Sequence, residues 1–373
     1  MHTLVLALNP CIDAEWRVEK VRWDEKTSVL AERRWAGGKG VNVARWVQYL
    51  ACKVGQASRL PHQSNVRLGL ARRPPALLRG AGGTPALLLT LGGQAGAELA
   101  RYLRSEKLVS RAIHLREATR VNVLVTTSEG PQLRFNPPGP RLSGSEWRLV
   151  AAAITRLLRR SNALVLSGSL PRGVPATAYA QLVRTGQEAG VPVLLDCDGP
   201  AFNAASRAKP FLVKPNEHEL EEWWASRPAS AGIATGESPL AATRRQGCRP
   251  SLANVLSAAR ALSETTGGWV LVSRGARPSL LINRTLDAEL YAKPPRVTPL
   301  NTLGAGDAML AAAAWQIELG AAPAEWLRWG VAAGTAATQC RPGELPSLKL
   351  ILRLFSKTGI LPVSIHNDIS DTA

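Results

Sequence analysis

The sequence contains no apolar run long enough to cross a membrane, which removes a spanning helix from consideration. Its five cysteines (Cys11, Cys52, Cys197, Cys248 and Cys340) are scattered and odd in number. None forms a C-x-x-C pair or a Cys/His cluster, so no zinc site is indicated and free thiols in a reducing compartment are expected. Carboxylates are scarce: 28 Asp and Glu face 46 Lys and Arg, a formal net charge of +18 over 373 residues. Such a balance raises the question of a nucleic-acid or anionic-membrane partner. Much of it lies in two stretches unlike the rest. Residues 53–86 carry Lys53, Arg59, Arg67, Arg72, Arg73 and Arg79 without a carboxylate, and "ATGESPLAATRRQGCRPS" is similarly basic. Aromatic residues do not interleave with these bases as they do on single-strand stacking surfaces, so a nucleic-acid partner is not expected. The opening "MHTLVLALNPCIDAEW" lacks a charged leader and meets Asp13 and Glu15 at once, which reads as a buried first strand and not as a signal peptide. The expected location is cytoplasmic.

What is present is ordinary for a globular chain, with 45% hydrophobic and 20% charged residues. Continuous apolar runs recur at 3–8, 86–92, 163–168, 191–196, 210–215 and 269–275, and amphipathic or alanine-rich stretches such as 145–160, 176–189, 251–265 and 307–319 separate most of them. This alternation predicts an α/β fold: a mainly parallel central sheet flanked by helices. Residues 14–36 and 120–135 alternate polar with apolar instead, predicting a small antiparallel β lid with one wet face. Residues 57–85 and 228–250 read as surface insertions, because structureless connections of that length are uncommon inside a compact domain. The domain is expected over residues 1–354, with a poorly patterned tail at 355–373.

Several short motifs carry chemistry. "NTLGAGDAML" (301–310) sets Gly304, Ala305 and Gly306 before Asp307 where a helix begins. Free amides and the positive end of a helix dipole make an anion site there; the alternative is that Asp307 merely caps the helix. "WAGGKGVNVARWV" (35–47) is not a Walker A loop, since Gly40 stands where Ser or Thr must follow the lysine. It offers Gly37, Gly38, Lys39 and Asn42 to a polyhydroxyl or phosphorylated ligand, or it is simply a glycine-rich turn into a helix. "LNPCID" ends the first strand with Asn9 and Asp13, where ligands of open parallel sheets bind. Arg120, Asn122 and Arg134 lie on the lid strands, and guanidinium groups suit phosphate. In "KPNEHEL" (214–220), Asn216 and Glu219 share one face of a helix start, and Glu219 could hold a hydrated Mg²⁺ through water. "SRGARPS" (273–279) joins two strand-like runs as a wall for a nucleotide.

In this order "NPCID", "GGKGVNVAR", "TRVN", "SGSLPRGVP", "KPNEHEL" and "NTLGAGD" resemble the PfkB (ribokinase-like) carbohydrate kinases, nearest to the 1-phosphofructokinase and tagatose-6-phosphate kinase branch. The resemblance covers about residues 3–345 outside the insertions. It implies a ribokinase-like fold whose β lid often forms a homodimer contact. It implies ATP and Mg²⁺ as cosubstrate and metal, with a sugar phosphate as acceptor. By it, Asp307 matches the catalytic base and Gly304, Ala305 and Gly306 the anion hole. Asp13, Gly37, Gly38, Lys39, Asn42, Arg120 and Arg134 match the sugar-phosphate side; Lys214, Asn216, Glu219, Ser273 and Gly275 match the nucleotide side. Where the family commonly reads Leu-Gly-Ala-Asp-Gly this chain has "RGARPS", so Arg277 and Pro278 bear on the geometry of the nucleotide loop. The expected reaction is phosphorylation of fructose 1-phosphate, with tagatose 6-phosphate or fructose 6-phosphate as alternatives. Two other readings are a catalytically silent sugar-phosphate sensor and a basic nucleic-acid-binding protein.

Overall fold

The computed structural model describes residues 3–57, 86–127, 132–227 and 250–362. In chain order its first strands are β1 (Thr3–Ala7), β2 (Cys11–Val18), β3 (Val29–Gly37), β4 (Ala86–Leu91), β5 (Ser110–His114), β6 (Arg120–Thr127) and β7 (Leu133–Phe135). The others are β8 (Ala163–Ser167), β9 (Val193–Asp196), β10 (Leu212–Val213), β11 (Trp269–Val272), β12 (Ser279–Asn283), β13 (Ala288–Ala292) and β14 (Ile360–Pro362). The large sheet runs β14-β13-β12-β11-β10-β9-β8-β1-β4-β5. From β11 to β5 every pairing is parallel, and β12, β13 and β14 join antiparallel at the other edge. Strands such as β1 and β8 are buried along their whole length, as both covered faces of a parallel sheet require.

Helices α1 (Lys39–Ala57), α2 (Gly93–Ser105), α3 (Gly144–Leu158), α4 (Ala178–Glu188), α5 (Gly199–Ser206) and α6 (Glu217–Ala225) are followed by α7 (Leu252–Thr266), α8 (Ala305–Glu318), α9 (Pro323–Ala337) and α10 (Leu348–Lys357). They divide between two cores, one on each face of the sheet. One gathers α1, α8, α9 and α10 around Val43, Leu310 and Leu327; the other gathers α3, α4, α5 and α7 around Tyr179, Phe202 and Leu262. In α8 the run Ala311–Ala314 is fully buried, and small side chains let this helix lie close to its neighbours while Trp315 fills its far end.

The lid is a second sheet, ordered β3-β2-β6-β7. Its outer pairs are antiparallel as expected, whereas its central join of β2 to β6 is parallel. That join follows from topology, because β2 and β6 both leave the same edge of the main sheet in the same direction. The insertion assignments fall outside the described residues, except that α1 extends through Ala57 and residue 250 begins the approach to α7. The expected boundary at 354 needs correction. Helix α10 continues to Lys357, and β14 pairs with β13. A strand of three residues lacks the length to announce itself by periodicity. Among the described residues no helix is long and apolar enough to cross a membrane.

Candidate active site

The carboxyl ends of β1, β9 and β10 open toward the lid; Asp196 closes β9, Lys214 follows β10, and β1 leads through Asn9 to Asp13 on β2. Asp196 is 1% exposed. Its two oxygens take the Lys39 ammonium at 3.2 Å and the Lys214 ammonium at 3.4 Å. Lys39 also reaches Glu219 Oε1 at 3.4 Å. Burial by itself would push the Asp196 carboxyl up, but Lys214 and Lys39 outweigh it and hold the group below the usual carboxylate range. Asp196 in turn holds the Lys39 ammonium well above its ordinary range, against burial. Lys39 therefore reaches toward the 214–219 segment as well as the sugar side expected for it.

Gly304 stands at the N-cap of α8 with φ of 75°, a left-handed conformation that suits glycine. The first intrahelical bond is Ala308 N–H to the Gly304 carbonyl at 2.9 Å, so the amides of residues 305–307 precede the ladder. Lys214 Nζ lies 3.2 Å from where a Cβ on Gly306 would be. Asp307 sits in the first turn, 6% exposed, and accepts a 2.8 Å hydrogen bond from Asn42 Nδ2. The capping role belongs to Gly304, which leaves the Asp307 carboxylate facing the cleft residues. Its pKa is pushed up to about 6, first by burial and then by the charge of Asp196; the Asn42 hydrogen bond, Lys39 and Lys214 pull the other way.

On the lid side, Asp13 accepts from Asn122 Nδ2 at 2.9 Å and from the Cys11 thiol at 3.1 Å. Burial raises its pKa, opposed by these two bonds and by Arg120 and Arg45. Gly37 backs onto this carboxylate so closely that a Cβ there would lie 2.1 Å from Asp13 Oδ2. A Gly37→Ala variant must turn Asp13 aside. On the sugar-binding role that the sequence resemblance implies for Asp13, KM for the sugar is expected to rise about 10-fold or more, the value of a hydrogen bond to a charged group, with little change in nucleotide KM. Initial-rate kinetics in both substrates test this, and an unchanged sugar KM would free Asp13 from a binding role. Arg120 donates to the Pro137 carbonyl at 3.0 Å and the Asn9 carbonyl at 3.2 Å, so its head is held at the cleft wall. Arg134 rests near Gln132 at 3.4 Å on the edge strand β7.

On the opposite side, Asn216 and Glu219 cap α6 reciprocally: each side chain accepts the other's backbone N–H at 2.9 Å. Ser273 bridges to Asn216, and its amide donates to the Pro215 carbonyl at 3.1 Å. The departure at "RGARPS" has a structural basis: Arg274 and Arg277 both pair with Glu217, pinning the β11–β12 turn to the start of α6. Of the site residues selected from the sequence, all except Gly37 and Asn9 line one cavity of about 1050 Å³. Gly37 lies behind the wall, against Asp13.

The pfkB family carbohydrate kinase profile matches residues 77–349. The chain belongs to this family. It is therefore a phosphotransferase acting on a sugar hydroxyl, consistent with a cavity that gathers a buried carboxylate, a helix start and several cations. The chain is 31% identical to the 1-phosphofructokinase of Xanthomonas campestris pv. campestris over 317 residues, covering 83% of this chain and 82% of that protein. It is 28% identical to the ATP-dependent 6-phosphofructokinase isozyme 2 of Escherichia coli, covering 91% and 92%. Among solved structures it is similar to phosphofructokinase-2 of Escherichia coli in complex with potassium, at 26% identity and a TM-score of 0.76, covering 95% of this chain and 98% of that one. Ribokinase of Arabidopsis thaliana shares the fold, at 20% identity and a TM-score of 0.66, covering 95% and 99%.

Sequence reasoning missed residues of this cavity, among them Asp196 and Arg45. Asp196 sits at the charge centre of the cluster, yet in "VPVLLD" it is only the last residue of an apolar strand; a carboxylate at that place in a parallel sheet is the signal that could have found it. Arg45 is 8% exposed and touches Asn42, and nothing in "NVAR" separates it from a solvated helix arginine.

Proposed function

We propose that this kinase transfers the terminal phosphoryl group of ATP to the free primary hydroxyl of fructose 1-phosphate, giving fructose 1,6-bisphosphate. The observation that carries the reading is Asp307, buried at the start of α8 beside unladdered amides and within reach of the cation-lined cavity. In this reading Asp307 accepts the proton of the attacking hydroxyl, which needs hydrogen-bond reach more than an extreme pKa. The 304–306 amides meet charge on the transferring group, and Lys214 beside Gly306 adds a cation there. Asp13 with Asn42 orients the sugar hydroxyls. Lys39, Arg120 and Arg134 favour an acceptor that already bears a phosphate. The names of the relatives support fructose phosphates as that class, and 1-phosphofructokinases recur among them.

Among the described residues no group of three or more His, Cys, Asp or Glu could enclose a metal ion. Glu219 and Asn216, fixed as a reciprocal cap at the cavity wall, fit instead an outer role toward a hydrated Mg²⁺ carried with the nucleotide phosphates. When bound, Mg²⁺ would supply charge neutralisation across those phosphates. Ser273 and Gly275 would flank the adenosine. The lid region exposes Trp23 (79%), Leu30 (62%) and Phe135 (55%), and this exposed apolar surface supports a homodimer formed lid to lid. The free thiols of Cys11, Cys52, Cys197 and Cys340 accord with a cytoplasmic protein.

The deciding experiment compares kcat/KM for fructose 1-phosphate, tagatose 6-phosphate and fructose 6-phosphate with MgATP. Fructose 1-phosphate is expected to lead by about 10-fold or more, the discrimination one misplaced phosphate contact gives. A lead by fructose 6-phosphate would favour the 6-phosphofructokinase reading, which the relationship to isozyme 2 keeps in view.

A further inference from the structure

Behind Asn42 lies a partly buried polar chain that the reaction as described does not use. Glu106, at the C-terminal end of α2, receives two short bonds from Arg45: Nε to Oε2 at 2.7 Å and Nη2 to Oε1 at 2.8 Å. The same guanidinium donates through Nη2 to the Ala36 carbonyl at 3.1 Å, next to the Gly37–Gly38 turn. Its remaining nitrogen, Nη1, points at Asn42 Oδ1 at 3.4 Å. Asn42 then donates its NH2 group to Asp307 Oδ2 at 2.8 Å. The residues come from four places in the chain, so the arrangement is not a local helix motif.

A primary amide has an oxygen end and a nitrogen end of nearly equal size, and only hydrogen-bond partners decide which way it faces. With its oxygen turned toward Asp307, Asn42 would set a lone pair against a carboxylate. A permanently charged donor at Oδ1 makes that orientation unfavourable twice over, since it would also leave Arg45 Nη1 facing an NH2 group. We propose that Arg45 and Glu106 are positioning residues of phosphoryl transfer: anchored on Glu106, the Arg45 guanidinium fixes the Asn42 amide so that its NH2 group holds Asp307 Oδ2 and leaves Oδ1 for the acceptor hydroxyl. This rests on the reading of Asp307 as the base. The Asn42 hydrogen bond favours the charged form of Asp307, so slackening it drives the carboxyl pKa further up. The other titratable groups facing Asp307 are Lys39 on α1, Asp196 at the end of β9, Lys214 after β10 and Cys11 on β2. None of these bonds to Arg45, so they stay in place when it is changed.

The test measures kcat against pH at saturating substrates for wild type, Arg45→Met, Glu106→Gln, Asn42→Ala and the Arg45→Met/Asn42→Ala pair, with Tm for each. Arg45→Met is expected to lower kcat about 10-fold and to move the acid limb upward by about half a unit or more, with nucleotide KM within about twofold. Glu106→Gln, at a site one-third exposed, moves the limb in the same direction by less. Adding Arg45→Met to Asn42→Ala changes kcat less than about twofold, because the arginine acts through the amide. The phosphate of the acceptor also titrates near pH 6, but it is common to all variants, so a shift between them belongs to the enzyme. Loss of Tm with an unmoved acid limb, or additive losses in the double variant, overturns the proposal. If Arg45→Met fails to fold, an unmoved limb in Glu106→Gln does so alone. An inactive wild type refutes the kinase reading itself, whereas an active one with unmoved limbs refutes only the positioning role.

Discussion

Asp307→Asn is expected to lower kcat about 10³-fold, to leave nucleotide affinity nearly intact, and to make the folded protein more stable at neutral pH. The loss of turnover follows from the proton-acceptor role proposed for Asp307, since a positioned acceptor contributes on the order of 10²- to 10⁴-fold. The amides of the 304–306 turn and Lys214 remain, so binding of the donor survives. The gain in stability follows from the burial of this carboxylate. The carboxyl titrates at about 6 in the folded protein against 3.8 for a free aspartate. Between those values the folded state keeps a proton that the unfolded chain releases. Stability is therefore highest below the unfolded value and is lost as pH rises through about 6. Above that, the buried charge costs about 3 kcal/mol by linkage, at about 1.4 kcal/mol per unit. Asn carries no such cost, so the variant's advantage appears above pH 6 and vanishes below pH 4. Thermal melts across that range, beside turnover assays, check both halves. Near-normal turnover would remove Asp307 from the role of base, and a stability difference indifferent to pH would remove its buried charge as the cause.

Asp196→Ala is expected to cost about 3–5 kcal/mol of stability, the penalty for leaving a buried charge without its partner. Lys39 retains Glu219, but the ion pair of Lys214, 3% exposed, is with Asp196 alone among the described carboxylates. A second change, Lys214→Met, should recover part of the loss, since the two residues belong to one pair and their effects do not add. The substitution also removes a negative charge that raises the Asp307 pKa, so the acid limb of kcat should move to lower pH, opposite to the shift expected for Arg45→Met. Denaturant unfolding gives the first quantity and pH–rate profiles the second. A loss below about 1 kcal/mol in the single variant would mean that water already solvates the two lysines.

The strands of the parallel sheet were legible because burial on both faces leaves an uninterrupted apolar run, as in β1, β4 and β8. Strands β5, β13 and β14 lie toward the sheet edges, where one covered face and short length leave no such run. The proposed reaction centre was legible for another reason. Gly304 and Asp307 lie three residues apart, because one helix start can supply both free amides and a carboxylate, so a single decapeptide holds the candidate chemistry. Asp196, Arg45 and Glu106 were not legible, since each matters only through a partner far away along the chain.

By itself the sequence determined the α/β class, because apolar periodicity and helix starts are local properties written in consecutive residues, and the order of its short motifs carried the resemblance to the pfkB family and the proposed substrate groups. Tertiary structure alone decided that Asp307 is buried and raised to about 6, that Lys39 and Lys214 share Asp196, and that Asn42 is held from behind by Arg45 and Glu106. Those are effects of desolvation and charge over a few ångströms, and only folding sets such distances between segments that are remote in sequence.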